Sequence, residues 1–279
     1  MKIENDKYYT PVDVANHCID KALEIIGEDN ISEVIEPSVG AGSFLTHPKL
    51  LVHFAYDIKP ECTHEITHIK QCDFLKEKIV YLPGRLIIGN PPYGRCLNLA
   101  QKFFKHSAEI GDYVAFILPI SQLNNTQSMY EFDLIYSEDL GIQDYSGREL
   151  HCCFNIYRRP ISGELNPKPI TDIPDITIYR QDSANYKTQP FDVRMCYWGN
   201  GSIGKILSDE ETYSGEYKIQ IHNEALKDRI KEVLTTYDWK SYVNAIAMKR
   251  LKQWQIIQVL LNEIPELNKD TPMSKKELW

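Results

Sequence analysis

A short polar segment follows an apolar run in the first half of the chain. Asn90-Pro91-Pro92-Tyr93 comes directly after Arg85-Leu86-Ile87-Ile88-Gly89, a run typical of a buried strand. The Asn90 side-chain oxygen and the Pro91 carbonyl could both accept hydrogen bonds from one amino group, because the prolines stiffen the loop and supply no N–H donors. Tyr93 adds an aromatic face for a planar ring. These residues therefore suit the binding of an amino group attached to a flat ring.

Such an amino group is a poor nucleophile, because its lone pair is delocalised into the ring. Two acceptors that bind both of its hydrogens draw the nitrogen towards tetrahedral geometry. They also stabilise the positive charge that develops as the nitrogen attacks an electrophile. No strong base is needed, since the proton can leave after the new bond forms. The alternative is that residues 90–93 form a rigid turn that merely closes a strand.

A second candidate site lies upstream, in a turn that contains two glycines. The turn is Pro37–Gly42, and it follows the short β-branched run Ser32–Glu36. Gly40 and Gly42 permit a tight strand-to-helix turn and close approach of a ligand to the backbone, while Glu36 could bind an ammonium group. Asp57 ends the next predicted strand and could accept hydrogen bonds from ribose hydroxyls or cap a helix. The turn has one glycine too few for a GxGxxG dinucleotide loop.

Three segments of the chain resemble motifs of one enzyme family. Asn90-Pro91-Pro92-Tyr93 resembles the catalytic motif of adenine-N6 amino-methyltransferases, and Glu36–Phe44 resembles their cofactor motif. Tyr8-Tyr9-Thr10-Pro11 resembles the N-terminal motif that contacts the methionine part of S-adenosylmethionine. The order of the three motifs is that of the gamma class of DNA adenine methyltransferases. The resemblance covers roughly residues 8–160.

The resemblance implies a fold, a cofactor and a set of site residues. The expected fold is α/β, a Rossmann-like class I methyltransferase sheet with a smaller C-terminal domain, and the expected cofactor is S-adenosylmethionine. Asp73 would accept a hydrogen bond from the cofactor's adenine amine and Phe74 would pack on its ring; the alternative is a turn aspartate before a core phenylalanine. Thr10 could cap a helix as well as contact the cofactor. The predicted catalytic residues are Asn90, Pro91, Pro92 and Tyr93, and the predicted cofactor-binding residues are Tyr9, Thr10, Pro11, Glu36, Ser38, Gly40, Gly42, Asp57, Ile58, Asp73, Phe74 and Asn90.

The function implied is transfer of a methyl group to adenine N6 in double-stranded DNA, in a restriction-modification or phage-type system. Methylation of RNA adenine or of a protein glutamine amide is the alternative, because glutamine-modifying enzymes also use Asn-Pro-Pro-Tyr. The Glu36-Pro37 start of the cofactor motif disfavours the glutamine enzymes, whose motif usually starts with an Asp-x-Gly type sequence. A third possibility is an inactive binding module, which the intact segment Asn90–Tyr93 disfavours.

The elements that must position these residues alternate between strand and helix, which predicts a parallel sheet with ligands at the carboxyl ends of its strands. Helical periodicity is found in Val12–Ile26 and Leu97–Ala108. An antiparallel pair, Phe132–Tyr136 with His151–Arg158, is expected to close the sheet. The other predicted strands are Ser32–Glu36, Val52–Tyr56, Glu65–Ile69, Arg85–Gly89 and Tyr113–Leu118.

A proline-rich stretch, Pro160–Pro174, predicts a boundary between a catalytic domain at 1–160 and a target-recognition domain at 161–279. In the second domain we expect a strand at Asp175–Arg180 and helices at Glu224–Val233 and Tyr242–Leu261. Its aromatic residues suit either base stacking or a small core. The candidate nucleic-acid contacts are Arg180, Arg194, Lys249 and Arg250. The sequence Gly199–Gly204 spells GxGxxG, but no periodic helix follows, which disfavours a nucleotide site.

Composition limits the remaining possibilities. The net charge of −8 argues mildly against a nucleic-acid partner, although binding depends on local fields. Seven cysteines without a CxxC pair indicate reduced thiols and no zinc site, and the eight histidines show no ligand spacing for any metal. No apolar run is long enough to cross a membrane and no signal peptide is seen, so we expect a cytoplasmic protein. DNA is the expected partner, and a specificity subunit or a homodimer remains open.

Overall fold

A computed structural model describes residues 8–183, 185–199, 201–211, 213–240 and 250–268. The chain divides into two compact units, Met1–Lys168 and Pro169–Trp279. The division falls inside the proline-rich stretch Pro160–Pro174. Lys249 and the first part of the helix expected at Tyr242–Leu261 lie outside the described residues.

The first unit is built on a seven-stranded sheet in the order β3-β2-β1-β4-β5-β7-β6. Strands β1 to β5 run parallel to one another, and β7 is antiparallel to both β5 and β6. This order, with its single reversed strand, confirms the expected Rossmann-like class I methyltransferase sheet. The strands are β1 Glu33–Glu36, β2 Phe54–Asp57, β3 His68–Gln71, β4 Arg85–Gly89, β5 Tyr113–Pro119, β6 Asp133–Asp144 and β7 Glu149–Arg158.

Two helices cover opposite faces of this sheet. Side chains alternate between the faces of a strand, so Leu86 and Ile88 pack in the core that contains α1 (Val12–Ile26). Ile87 points to the other face and packs in the core that contains α2 (Asn98–Ile110). All five residues of β4 are buried, as expected for a strand covered on both sides.

The outer strands differ from the sequence-based expectation. The strand expected at Glu65–Ile69 lies at His68–Gln71. It forms one edge of the sheet and none of its residues is fully buried, so it lacks the apolar pattern from which strands are predicted. Strand β6 runs on to Asp144 and contains two register shifts, which interrupt the alternation of its side chains.

The second unit contains a three-stranded antiparallel sheet in the order β8-β10-β9. Strand β8 was expected, whereas β9 and β10 were missed because Arg194, Glu216 and Lys218 are buried charged residues within them. Such residues hide the apolar pattern of a core strand. The elements are β8 Ile176–Arg180, β9 Val193–Cys196, β10 Glu216–Ile221, α3 Lys227–Thr236 and α4 Gln253–Glu263.

The segment Gly199–Gly204 is not the start of a helix. Its described residues form turns, and an added Cβ at Gly204 would lie 2.4 Å from the Cβ of Trp239. Glycine at this position therefore makes room for a core tryptophan. No helix among the described residues has the length and apolarity needed to cross a bilayer.

Candidate active site

A cavity of about 320 Å³ lies in the first unit, where β1, β2 and β4 end. The chain order along the sheet reverses between β1 and β4, and ligands of open α/β sheets bind at such a switch point. The cavity is lined by most of the predicted residues, namely Tyr9, Thr10, Glu36, Ser38, Gly40, Asp57, Ile58, Asp73, Phe74, Asn90, Pro91 and Pro92. Pro11, Gly42 and Tyr93 are not among its lining residues.

The loop after β1 is held in shape by Asp57 at the end of β2. The Gly40 N–H donates to Asp57 Oδ2 at 2.8 Å, and the Lys59 N–H donates to Asp57 Oδ1 at 2.8 Å. The residues that directly follow Asp57, up to β3, form no helix, so the helix-cap alternative is wrong. Each carboxylate oxygen accepts more than one hydrogen bond, and Asp57 therefore retains capacity for a ligand hydroxyl.

The two glycines of this loop allow close contacts. Gly40 has φ +47°, and an added Cβ would lie 3.2 Å from the Tyr9 ring. Gly42 has φ +87°, and an added Cβ would lie 2.9 Å from Cys62 Sγ. Side chains at either position would therefore be strained by the backbone conformation and by their neighbours. Gly42 shapes the loop without lining the cavity.

Glu36 is the most unusual side chain of the site. It is 2% exposed, and its Oε2 atom is buried without a hydrogen-bond partner among the described residues. Burial raises the pKa of Glu36 well above its ordinary value, and the negative charge of Asp57 adds to this effect. A buried carboxyl group with an unused oxygen beside a cavity is suited to a cationic ligand.

Asn90 is oriented by the segment that precedes α1. Its Nδ2 donates to Thr10 Oγ1 at 3.1 Å and to the Tyr8 carbonyl at 3.4 Å. Because the amide nitrogen is engaged, the Oδ1 atom is the part of the amide that is left to accept hydrogen bonds. The Asn90 carbonyl accepts from Ser38 Oγ at 3.2 Å, which ties the loop after β4 to the loop after β1.

The helix-cap role considered for Thr10 is also wrong. Pro11 occupies the N-cap position of α1, and no side chain caps this helix. Thr10 is buried, and its carbonyl accepts from Ser43 Oγ at 2.6 Å. Thr10 therefore connects Asn90 to Ser43, which lies in the segment after β1. Pro11 precedes the first residue of α1 and does not line the cavity.

Tyr93 lies beside the cavity-lining residues of its loop. Its hydroxyl group is 3.6 Å from Cys152 Sγ, and its ring stacks on that of Tyr8 with the centroids 6.4 Å apart. Burial, with a smaller effect of Cys152, raises the pKa of Tyr93 well above its ordinary value. The phenol of Tyr93 is therefore neutral.

Asp73 and Phe74 have the structural roles that were considered for them, and both also line the cavity. Asp73 Oδ1 accepts from the Leu75 N–H at 3.1 Å, which caps a short 3-10 helix, and Phe74 is 1% exposed. Phe74 stacks on Phe103 at 5.6 Å and meets the His106 ring edge-on at 4.8 Å. Both residues nevertheless line the cavity, so their structural roles leave a surface for a ligand.

Several lining residues were not predicted. Leu99 and Phe103 belong to α2, where a spacing of four residues places them on one face of the helix. That spacing was visible in the sequence, but only the sheet order shows that this face meets the cavity. Ile58, which was predicted to bind the cofactor, lines the cavity as an apolar side chain that is 68% exposed to solvent. The further lining residues are Tyr8, Pro37, Val39, Ala41, Ser43, Phe44, Lys59, Cys72 and Leu75.

The basic residues predicted to contact nucleic acid have unequal surroundings. Arg194 is buried, pairs with Glu216 Oε2 at 2.7 Å and donates to the Ser208 carbonyl at 2.8 Å. This placement makes Arg194 a structural residue instead of the expected phosphate contact. Arg180 forms an exposed ion pair with Asp182, and the Arg250 guanidinium lies 4.9 Å from the Tyr197 ring centroid.

The described part of the chain contains no group of three or more His, Cys, Asp or Glu side chains arranged to hold a metal ion. The side chain of His64 is hydrogen-bonded to that of Thr67, with 2.8 Å between His64 Nδ1 and Thr67 Oγ1.

Comparison with known proteins gives structural likeness without sequence similarity. No family model matches the chain, and no curated protein matches it significantly. A putative RNA methyltransferase from Pyrococcus horikoshii is similar in structure, with a TM-score of 0.45 and 16% identity over 55% of this chain and 87% of that one. A putative class I S-adenosylmethionine-dependent methyltransferase from Listeria monocytogenes has a TM-score of 0.45 and 12% identity, over 60% of this chain and 65% of that one.

A third similar structure is a magnesium protoporphyrin IX methyltransferase from Synechocystis with bound S-adenosylmethionine. Its TM-score is 0.40 and its identity 10%, over 53% of this chain and 81% of that one. These similarities, at 10% to 16% sequence identity, concern the fold alone.

Proposed function

We propose that this chain is an S-adenosylmethionine-dependent methyltransferase that modifies the N6 amino group of adenine in double-stranded DNA. The orientation of the Asn90 amide is the main support for this proposal. Asn90, at the end of β4, has its amide nitrogen bound by Thr10 and Tyr8, which leaves its Oδ1 free to accept at a cavity that also contains the unpartnered Glu36 carboxyl.

The residues present fit the proposed cofactor. Glu36 Oε2 lacks a partner and would bind the amino acid ammonium group, while Asp57 would accept from the ribose hydroxyls. Asp73 and Phe74 supply a polar and an apolar surface for the adenine end. When bound, the cofactor supplies an electrophilic methyl group on a sulfonium.

The chain's own residues would prepare the acceptor nitrogen. Asn90 Oδ1 and the Pro91 carbonyl would accept hydrogen bonds from both amino hydrogens, which draws the nitrogen lone pair out of the ring. The neutral Tyr93 would provide a stacking surface for a base taken out of the duplex. The proton would leave to water after transfer, so no basic side chain is required.

In this proposal, residues 161–279 form the target-recognition domain, and Arg180, Lys249 and Arg250 are its candidate phosphate contacts. The protein would act in the cytoplasm as the modification enzyme of a restriction-modification or phage-type system. A specificity subunit or a second copy of the chain could share target recognition.

The test measures transfer of labelled methyl groups from the cofactor to duplex DNA, to RNA and to a protein extract in separate reactions. Label should appear in DNA and should be recovered as N6-methyladenine after digestion to nucleosides. Sequencing of the modified DNA then gives the target site. Label in protein alone, or in RNA alone, would contradict the proposed substrate.

The variant that tests the site is Asn90→Ala. It should lower kcat by about 100- to 1000-fold, the cost of removing one preorganised transition-state contact, while cofactor affinity measured by calorimetry changes little. Asn30→Ala is the matched control, because Asn30 is exposed and bonds to the Ile26 carbonyl at the end of α1. Intact methyl transfer by Asn90→Ala would show that Asn90 has another role.

A further inference from the structure

The segment Tyr8–Thr10, here called the strap, forms part of the cavity wall. All three of its residues line the cavity, and none of them belongs to a helix or a strand. The other walls include the ends of β1 and β4, which are joined in one sheet. Opening those walls would break the pairing of the sheet, whereas a segment outside any regular element can open locally at much lower cost.

The end of the strap nearest to α1 is firmly held. Thr10 is buried, its carbonyl accepts from Ser43 Oγ at 2.6 Å, and its hydroxyl oxygen accepts from Asn90 Nδ2 at 3.1 Å. Helix α1 begins at Val12, only two residues later. Thr10 therefore fixes one end of the strap to the body of the unit.

Tyr9 holds the strap against the loop after β1. An added Cβ on Gly40 would lie 3.2 Å from the Tyr9 ring, so the ring packs directly on the Gly40 backbone. The Tyr9 hydroxyl donates to Glu61 Oε2, in the segment after β2. The Glu61 N–H in turn donates to the Gly40 carbonyl at 2.9 Å. Tyr9 and Glu61 thus enclose Gly40 between them.

The bond between Tyr9 and Glu61 is more accessible to water than the bonds of Thr10. Glu61 is exposed and Tyr9 is half-buried, whereas Thr10 is 8% exposed. Water can replace either partner of an accessible hydrogen bond, so this bond breaks more easily than a buried one. Glu61 does not line the cavity and can act there only through its contacts with Tyr9 and Gly40.

We infer that the strap is a gate for cofactor exchange, and that the hydrogen bond between Tyr9 and Glu61 is its latch. While the bond is made, Tyr9 covers Gly40 and completes the cavity wall. When it breaks, Tyr9 can move away from Gly40 and open a path to the cavity. This inference rests on the cofactor in the proposed function, S-adenosylmethionine, and does not depend on which acceptor is methylated.

The test measures the rates at which the cofactor binds and leaves. Labelled S-adenosylmethionine is mixed rapidly with the protein for association, and excess unlabelled cofactor displaces it for dissociation. If the cofactor passes only through the open strap, Glu61→Ala and Tyr9→Phe should each raise both rates by about 2- to 12-fold, the equivalent of one net hydrogen bond. For Glu61→Ala the Kd should stay within about twofold, since equal changes in the two rates cancel.

Three further variants serve as controls. Glu61→Gln keeps an acceptor oxygen and should have rates close to those of the wild type. The double variant with Tyr9→Phe and Glu61→Ala should show no larger effect than the stronger single variant, because both changes remove the same bond. Tyr81→Phe is the matched control: the Tyr81 hydroxyl donates to Asp112 Oδ1 at 2.7 Å, and Tyr81 is not a lining residue of the cavity.

The outcomes separate the latch from the proposed function. Unchanged rates in Glu61→Ala and Tyr9→Phe, a faster dissociation without a faster association, or additive effects in the double variant would each overturn the latch and leave the proposed function standing. Rates that rise together, without methyl transfer to DNA, would support the latch and overturn the proposed reaction. No binding of labelled S-adenosylmethionine by the wild type would overturn both.

Discussion

Asn90 and Glu36, which both line the cavity, retain hydrogen-bonding capacity that the protein itself does not use. Asn90 Nδ2 donates hydrogen bonds to Thr10 Oγ1 and to the Tyr8 carbonyl, and Glu36 Oε2 is buried without a hydrogen-bond partner. An unsatisfied buried polar atom costs about 1–3 kcal/mol, so such atoms are rare unless a ligand completes them. At the scale of single residues, the site is defined by this unused capacity.

Glu36→Gln is the residue-scale prediction. The pKa of Glu36 is raised in the folded protein, first by burial and then by Asp57, so the folded state binds the proton more tightly than the unfolded state. The free energy of unfolding of the wild type should therefore fall as the pH rises from the ordinary carboxyl pKa through the raised value. Glu36→Gln removes this dependence and should be the more stable protein at the upper end of the range. Thermal unfolding of both proteins without cofactor, as a function of pH, measures the effect.

The same variant should bind the cofactor more weakly. A hydrogen bond to a charged group contributes about 1.5–3 kcal/mol, so calorimetry should show an affinity loss of about 10- to 150-fold. Wild-type affinity should also decrease as the pH is lowered, because only the ionised Glu36 attracts an ammonium group. A parallel pH dependence of affinity in both proteins would assign the ammonium group to another partner.

At the scale of elements, three segments from different parts of the chain must meet. The segment before α1 supplies Thr10, the loop after β1 supplies Ser38, and the loop after β4 supplies Asn90. Parallel strands place β1 and β4 side by side with their ends together. The hydrogen bonds between these loops then set the orientation of one amide.

Thr10→Val is the element-scale prediction, since valine has nearly the shape of threonine without its hydroxyl group. Loss of the 3.1 Å bond to Asn90 Nδ2 should release the amide, and a net hydrogen bond of about 0.5–1.5 kcal/mol corresponds to a decrease in kcat of about 2- to 12-fold. Thr10→Ser restores the hydroxyl and should recover most of the loss. Steady-state kinetics separate the effect on kcat from any change in the KM for cofactor. A change confined to that KM would place Thr10 on the cofactor side alone.

At the scale of the whole molecule, charge and burial limit how nucleic acid could be bound. The net charge is −8, and one of the four predicted basic contacts, Arg194, is buried in an ion pair with Glu216. In the proposed function, phosphate contact would then come from a few partly exposed groups such as Arg250. A protein of this kind should depend on a specific site or on a partner more than on general attraction to DNA.

Arg250→Ala is the whole-molecule prediction. It should weaken DNA binding and reduce by about one the slope of log affinity against log salt concentration, as expected when one phosphate contact is lost. Fluorescence anisotropy over a series of salt concentrations measures both quantities. Arg194→Ala is the contrasting variant, because it should lower the free energy of unfolding by about 3–5 kcal/mol and leave the slope of the folded protein unchanged. An unchanged slope in Arg250→Ala would place recognition elsewhere.

Much of the first unit could be predicted from the sequence because its determinants are local. The apolar run Arg85–Gly89 and the amphipathic helix α1 carry their periodicity in adjacent residues, and the structure confirms both. Strand β3 was predicted about three residues too early, and the second-unit strands β9 and β10 were missed. Strand β3 is exposed because it lies at the edge of the sheet, and Arg194 of β9 is buried because it pairs with Glu216 of β10. Both features depend on residues that are distant along the chain.

The sequence by itself determined the residue types of the site, the order of its three motifs and the alternation of strands and helices that implies a parallel sheet. Tertiary structure decided which contacts those residues make. It engaged the amide nitrogen of Asn90, left Glu36 without a partner, placed Tyr8 opposite Tyr93 and buried Arg194. The reason is physical: propensity and periodicity act over a few neighbouring residues, whereas burial and hydrogen-bond satisfaction depend on residues brought together by the folded chain.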